Sequence, residues 1–278
     1  DNFTIKSITG WRELEEILNS TYTGEAYTSL YDAARNSVRE QFQQEVRLTS
    51  NLDGPFNFVI GGAYYTDDVD FNVFGRFGWL PLEVGAGIFD DILQIQATSQ
   101  ERESYALYVD GTYELTNTTR LSLGYRHTQD EKDFHRLDIG GAGGNPLSNF
   151  VFDLSQVTGP FDNPLPESAF ALNARRNADF SANTYRIVID HDFRDDVMVY
   201  ASFATGFVAG GFAETCGMYG GCRPFNSEEN DSFEVGLKAD LLDGKMRLNL
   251  ALYDVTYESL QRDAVLVVKD ASGNDFQE

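Results

Sequence analysis

Apolar and polar side chains alternate on both sides of the Asp243-Gly244 dipeptide, over the stretch from Asp231 to Leu260. The apolar series of the two arms is Phe233, Val235, Leu237 and Ala239, then Met246, Leu248, Leu250 and Leu252. A period of two sends successive side chains to opposite faces of a strand, and Asp-Gly between two such runs is a strong tight-turn signal. The stretch predicts a β-hairpin with one apolar and one polar wall, which suits a soluble sandwich as well as a membrane barrel.

Seven further segments are predicted to be strands, although Gly61 and Gly62 interrupt the alternation in one of them. Their predicted bounds are Phe3–Trp11, Gln41–Ser50, Phe56–Phe71, Glu103–Leu115, Leu121–Asp133, Ser181–Phe193 and Val197–Gly210. From the end of the first strand, the apolar residues Trp11, Leu14, Ile17 and Leu18 have helical spacing. We therefore expect a short helix there, within a long loop.

The predicted connections alternate between short turns and long loops. The turns fall near residues 51–55, 116–119, 194–196 and 241–244, and the loops span about 12–38, 72–102, 134–180 and 211–230. In an antiparallel meander, this order places every long loop at one end and every turn at the other. Loops longer than ~15 residues are uncommon in compact soluble domains. Transmembrane β-barrels have this asymmetry, and the predicted strands are long enough to cross a bilayer, so the pattern favours a barrel.

Composition narrows the classes of function. The 44 acidic and 21 basic side chains give a net charge of −23, and without clustered Lys and Arg the chain is not expected to bind nucleic acid. The same charge argues against a strongly anionic ligand, because a negative lumen would repel it. No apolar run approaches the ~20 residues of a membrane helix, and no signal peptide is recognisable.

The sequence contains few residues that could form a disulfide, bind a metal or act in catalysis. Cys216 and Cys222 predict a disulfide that closes a small loop, and two free thiols are the alternative. The histidines have no metal-ligand spacing, and no GxSxG motif marks a nucleophile, so we predict neither a cofactor nor an enzyme. The acidic run of Asp67, Asp68 and Asp70 suits a solvated face better than a calcium site.

Four segments resemble the barrel strands of TonB-dependent outer-membrane receptors, in the order of that family. They are QFQQEVRLTSNLDGPFNFVIGGAYYTDD, YALYVDGTYELTNTTRLSLGYRHTQDEKDF, VYASFATGFVAGGFA and NSEENDSFEVGLKADLLDGKMRLNLALYDVTYESLQ. Each motif is modest by itself, but four in sequence are specific. The chain departs from the family at Val208 and Ala209, where a basic or small polar pair is frequent.

The resemblance implies an all-β, antiparallel, up-and-down transmembrane barrel with short periplasmic turns and long extracellular loops. Residues 1–278 would form nine or ten of its roughly 22 strands, and the plug domain and the last strands are expected to lie outside this sequence. The implied function is active import of a scarce nutrient, such as a ferric siderophore, cobalamin or an oligosaccharide, across the outer membrane of a Gram-negative bacterium. The implied partners are the TonB complex, through an N-terminal segment expected to lie outside this sequence, outer-membrane lipid and a small nutrient ligand. A passive porin or an adhesin-type barrel is the alternative.

The alternation within each strand predicts which side chains face the lumen of the barrel and which face lipid. The residues predicted to face the lumen are Glu45, Arg47, Asp110, Glu114, Arg126, Glu234, Lys238, Arg247 and Asn249. Substrate contacts are expected in the long loops, where Phe77 and Trp79 supply aromatic side chains.

Overall fold

The computed structural model describes residues 2–21, 31–77, 92–138, 172–213, 222–262, 267–269 and 275–277. Nine strands form one antiparallel sheet in chain order: β1 Phe3–Thr21, β2 Tyr31–Ser50, β3 Phe56–Phe77, β4 Ile92–Thr116, β5 Thr119–Asp138, β6 Leu172–Arg194, β7 Val197–Val208, β8 Glu228–Leu241 and β9 Met246–Glu258. A separate pair follows, with β10 Val267–Lys269 and β11 Asp275–Gln277. The large sheet is an open up-and-down meander with β1 and β9 at its edges, as expected of part of a barrel wall.

The strands extend further into the predicted loops than their patterns indicated. The predicted helix after Trp11 is wrong, because Trp11, Leu14 and Ile17 all belong to β1, which pairs with β2 along its whole length. The loops predicted over 12–38, 72–102 and 134–180 are also too long at both ends. The physical reason is that alternation is required only where one face meets lipid. Beyond the bilayer both faces of a strand meet water, so the period of two fades while the backbone pairing continues.

The turn at Asp243-Gly244 has the conformation that its sequence predicts. Leu242, Asp243 and Gly244 have φ values of 56°, 55° and 78°, and the Lys245 N–H donates to the Leu242 carbonyl at 3.2 Å. Positive φ at both central residues is what a type I′ hairpin turn requires, and Asp-Gly is a preferred sequence for it. The β8–β9 hairpin is therefore confirmed.

One face of the sheet is apolar and exposed, and tyrosines border it on the side away from the turns. Leu107 and Leu252 are 69% and 76% exposed on this face. Tyr64 and Tyr105 face each other across β3 and β4, and the ring centroids of Tyr125 and Tyr185 lie 5.5 Å apart across β5 and β6. Aromatic girdles mark the interface of a membrane barrel. The strand segments between the turns and these tyrosines are the membrane-spanning part.

A row of carboxylates crosses the same outward face beyond the tyrosines. Its members are directly opposed from strand to strand and all are exposed: Glu13, Glu40, Asp68, Glu101 and Asp133. Like charges directly opposite each other destabilise a sheet. Partial desolvation and repulsion from Glu40 raise the pKa of Asp68 above its usual value. These five carboxylates lie outside the membrane and on the outward face.

Among the described residues, no helix is long and apolar enough to cross a membrane.

The assignment of the two faces predicts different responses to a charge on β9. Leu250 is 58% exposed on the apolar face, whereas Asn249 points to the polar face. We expect Leu250→Arg to lower the unfolding free energy by ~2–4 kcal/mol, because the guanidinium would lie in lipid. Asn249→Arg is the matched control and is expected to be tolerated. Denaturant unfolding in lipid vesicles measures both, and equal losses would contradict the assignment.

Candidate functional site on the polar face

The backbone pairing places all nine residues predicted to face the lumen on the polar face of the sheet. Arg47 lies opposite Gly61, Gly61 opposite Tyr108, and Tyr108 opposite Arg126, so these four share one line across β2 to β5. The remaining seven are on the same face in neighbouring lines: Glu45, Asp110, Glu114, Glu234, Lys238, Arg247 and Asn249. They form one surface, and its role as a lumen lining stays a prediction.

The other predicted contacts are only partly described. Phe77 ends β3, and Trp79 lies outside the described residues. Cys222 is disulfide-bonded and 1% exposed. Cys216 lies outside the described part of the chain, so the pairing of the two cysteines stays a prediction.

Tyr108 lies across Gly61 in the middle of the polar face. A Cβ on Gly61 would come within 2.5 Å of the ring, so only glycine leaves room for it. The Tyr108 hydroxyl donates to the Glu45 carboxylate, and the Arg126 guanidinium carbon lies 5.8 Å from the ring centroid. The ring therefore links a carboxylate on β2 to a cation on β5.

The same arrangement occurs a second time between β7 and β8. Tyr200 lies opposite Gly236, where an added Cβ would overlap the ring. The Tyr200 hydroxyl donates to Glu234, and the Lys238 ammonium lies 5.4 Å from the ring centroid. Two tyrosines thus fill the space above two glycines, and each holds a carboxylate and a cation of the predicted lumen set.

Gly124 allows an ion pair to span three strands. Asp110 on β4 and Arg186 on β6 both lie opposite this glycine of β5. The Arg186 Nη2 donates to the Asp110 Oδ2 at 2.6 Å, and a Cβ on Gly124 would lie 2.6 Å from that oxygen. A larger residue at Gly124 would force the pair apart.

A second group of charges lies further from the turns. Arg39 donates to Asp67 through Nε and Nη2, at 2.7 and 2.5 Å, and Arg102 Nε donates to Asp130 at 2.5 Å. The side chains of Asp67 and Asp130 are only 8% and 3% exposed. The Arg102 guanidinium also lies 5.4 Å from the ring centroid of Tyr65, which joins the two pairs into one charged row.

Asp67 and Asp68 are neighbours in sequence but lie on opposite faces. Burial would raise the pKa of Asp67, but the hydrogen bonds and charge of Arg39 outweigh it and hold that pKa below its usual value. Asp68 belongs to the outward carboxylate row, where its pKa is raised. The two carboxylates therefore do not converge on one ion. Within the described part of the chain, no group of three metal-ligating side chains is present.

The chain after β7 folds over the polar face near the outer end of β5. We call the described residues 209–213 and 222–227 the crossing segment. The rings of Phe134 and Phe212 stack at 4.9 Å, and these two pack with Ala174 and the buried Cys222. This apolar cluster fixes the crossing segment to β5 and β6.

Lys132 makes the polar attachment of the crossing segment. Its ammonium donates to the Gly210 carbonyl and lies 5.7 Å from the ring centroid of Phe180. Burial, and after it the charge of Arg102, lowers the pKa of Lys132. A partly desolvated cation that holds a backbone carbonyl is a strong, directional anchor.

Sequence reasoning missed the tyrosine–glycine contacts and the Lys132 anchor. The glycines were visible as interruptions of the alternation, but which aromatic covers each one depends on the register between strands. The segment TGFVAGGFA, which begins at Thr205, indicates that the chain leaves the sheet there, because closely spaced glycines rarely continue a strand.

The sequence model of the family described as TonB dependent receptor-like, beta-barrel, matches residues 1–274. Solved structures with the same fold include the ferric yersiniabactin uptake receptor FyuA from Yersinia pestis. It is 15% identical with a TM-score of 0.70, and the match covers 94% of this chain and 34% of that one. The siderophore receptor PiuA from Acinetobacter baumannii is 17% identical with a TM-score of 0.63, over 91% of this chain and 37% of that one.

The ferric-catecholate import receptor Fiu from E. coli K12, in its closed form, is 14% identical with a TM-score of 0.57. That match covers 100% of this chain and 40% of the receptor. The chain thus spans little more than a third of the length of these proteins, and at such identities the likeness shows the fold alone.

The contact between Tyr200 and Gly236 predicts a stability effect. Gly236→Ala should lower the unfolding free energy by ~1–3 kcal/mol, because the new methyl group displaces the ring from Glu234 and Lys238. Gly54→Ala is the control, since nothing lies within 4 Å of its Cβ position. Denaturant unfolding in lipid vesicles measures both.

A double-mutant cycle isolates the contact with the ring. In a Tyr200→Ala background, Gly236→Ala is expected to cost almost nothing. A loss of the same size with and without the ring would show that the contact has no part in the effect.

The pair of Arg39 and Asp67 predicts a pH-dependent contribution. The pKa of Asp67 is lower in the folded state than the usual aspartate value of 3.8. The ionised carboxylate therefore stabilises the fold at pH values above 3.8, and this stabilisation is lost as the pH falls through the folded-state pKa. Arg39→Gln leaves a buried carboxylate without its main donors and should cost ~1–3 kcal/mol at neutral pH. The difference from wild type should shrink below about pH 4.

Unfolding titrations across that pH range test this prediction, with Arg194→Gln as the control. Arg194 pairs with Asp196 at 3.3 Å, but both side chains are at least half exposed, so its loss should stay below about 0.5 kcal/mol. Similar losses for the two variants, or a pH-independent loss for Arg39→Gln, would contradict the assigned role.

Proposed function

The chain belongs to the TonB-dependent receptor β-barrel family, and on this premise we propose that it forms part of the wall of an active transporter that imports a scarce nutrient. Proteins of this family are outer-membrane receptors of Gram-negative bacteria, and this chain shares that location. The match over residues 1–274 is the observation that carries the proposal. It is supported by a sheet with an exposed apolar face on one side and a charged face on the other.

We propose a ferric siderophore or a related metal chelate as the substrate. Three of the structures that share the fold are named as receptors for ferric yersiniabactin, for a siderophore and for ferric catecholates. Cobalamin or an oligosaccharide is the alternative cargo. The proposed partners are TonB as the energy-coupling protein, outer-membrane lipid around the apolar face, and the small ligand itself.

In this function the described strands serve as a rigid frame. Cross-strand ion pairs tie β2 to β3, β4 to β5, and β4 to β6 on the polar face, and they keep these charges in fixed positions. Such a wall lets a solvated cargo pass while the carboxylates and guanidinium groups stay bound to each other. The wall supplies surface and charge, and we propose no catalytic step.

Uptake of a radiolabelled ferric siderophore tests the proposal in iron-limited cells that either carry or lack the gene. We expect saturable uptake that depends on the gene and is abolished by a protonophore or by deletion of TonB. Uptake that depends on the gene but continues without the proton gradient would contradict active transport and favour a passive porin. No gene-dependent uptake of any chelate would overturn the assigned substrate class.

A further inference from the structure

A cavity of about 350 Å³ lies on the polar face where β6 and β7 separate. The two strands pair only from Arg186 to Arg194 on β6, and the Tyr185 N–H donates instead to the Thr205 Oγ1 at 2.9 Å. Beyond this point β7 leaves its neighbour and continues into the crossing segment. The divergence opens a space near the tyrosines that border the apolar face, and continuous hydrogen bonding between the two strands would close this space.

The crossing segment limits the cavity on one side and is itself firmly attached. Val208 and Ala209 line the cavity, and the next residue, Gly210, accepts the hydrogen bond from Lys132. Two residues further on, Phe212 stacks on Phe134. The cavity is therefore preformed, as small-molecule sites usually are, and its volume lies within their usual range of about 300–1,000 Å³.

Arg126 lines this cavity with a guanidinium that has no carboxylate partner among the described residues. Its Nε donates to the Thr128 Oγ1 at 3.0 Å, and its guanidinium carbon lies beside the Tyr108 ring. Among the described residues, no carboxylate forms a salt bridge with Arg126. Tyr108 and Thr128 thus hold its orientation, whereas its two terminal nitrogens remain available for a ligand.

Arg102 adds a second guanidinium, and Asp130 neutralises only one of the two charges. Arg102 donates to Asp130 through Nε, and its side chain is still 32% exposed. Hydroxyl groups of Ser104, Thr128 and Thr184 line the same space and can donate hydrogen bonds without adding charge. The cavity combines a net positive charge with several donors, which is the chemistry that binds carboxylate or phosphate oxygens.

We propose that this cavity is a substrate subsite that binds an oxyanion group, carboxylate or phosphate, of a small molecule on its way through the barrel. The proposal rests on the proposed transport function, which it deepens by naming the charge of the cargo. Arg126 would bind two oxygens side by side, as a guanidinium does and an ammonium does not.

Calorimetric titration of the purified full-length protein with citrate and, separately, with inorganic phosphate tests the subsite. We expect both probes to bind, and Arg126→Gln to weaken binding at least about tenfold, since a charge-assisted bidentate pair is lost. Arg126→Lys should recover part of the affinity through its charge. Arg47→Gln is the matched control: Arg47 lies in the same cross-strand line, and among the described residues it too forms no salt bridge, but it does not line the cavity.

Three outcomes would overturn the subsite: no binding of either probe to the wild type, equal affinity of Arg126→Gln and wild type, or an equal loss in Arg47→Gln. If Arg126→Gln does not fold, Arg126→Lys decides, because an unchanged affinity in that folded variant would exclude bidentate binding. Failure of the proposed function is separate. Energy-independent uptake in cells together with weakened probe binding in Arg126→Gln would refute active transport and leave the subsite intact.

Discussion

Every backbone N–H and C=O group of a chain in hydrocarbon must find a partner within the protein, and the rest of this structure depends on that constraint. It forces continuous pairing from β1 to β9, which in turn makes side chains alternate between lipid and interior. The polar face then brings charges of neighbouring strands close together, so they stabilise each other across strands. Arg39–Asp67, Arg102–Asp130 and Asp110–Arg186 all join residues of different strands.

The alternation could be recognised from the sequence wherever lipid imposes it. The β8–β9 hairpin was predicted to within three residues at its outer ends, including its Asp-Gly turn, because both a tight turn and an apolar face leave local signals. Where the strands rise beyond the membrane, each face of β1 mixes acidic and apolar residues. There the spacing of Trp11, Leu14 and Ile17 resembled a helix, although pairing with β2 makes a strand.

The interactions on the polar face could not be predicted in the same way, since they depend on register. Tyr200 and Gly236 are 36 positions apart, and only the pairing of β7 with β8 brings the ring over the glycine. The sequence predicted which residues share a face but not which of them meet. Lys132 shows the same limit, because its acceptor is a backbone carbonyl at a point where a strand leaves the sheet.

The distribution of charge also changes the meaning of the net value of −23. A negative lumen would repel an anionic cargo, but the five carboxylates of the outward row from Glu13 to Asp133 lie on the opposite side of the sheet. On the polar face most carboxylates are bound to arginine or tyrosine. The carboxylate that lines the cavity, Asp130, is paired with Arg102, whereas Arg126 forms no salt bridge among the described residues. Because screening limits the reach of exposed charges to about 8–10 Å, the nearest groups decide what the cavity binds. The local charge there is positive, which is the condition that an oxyanion subsite requires.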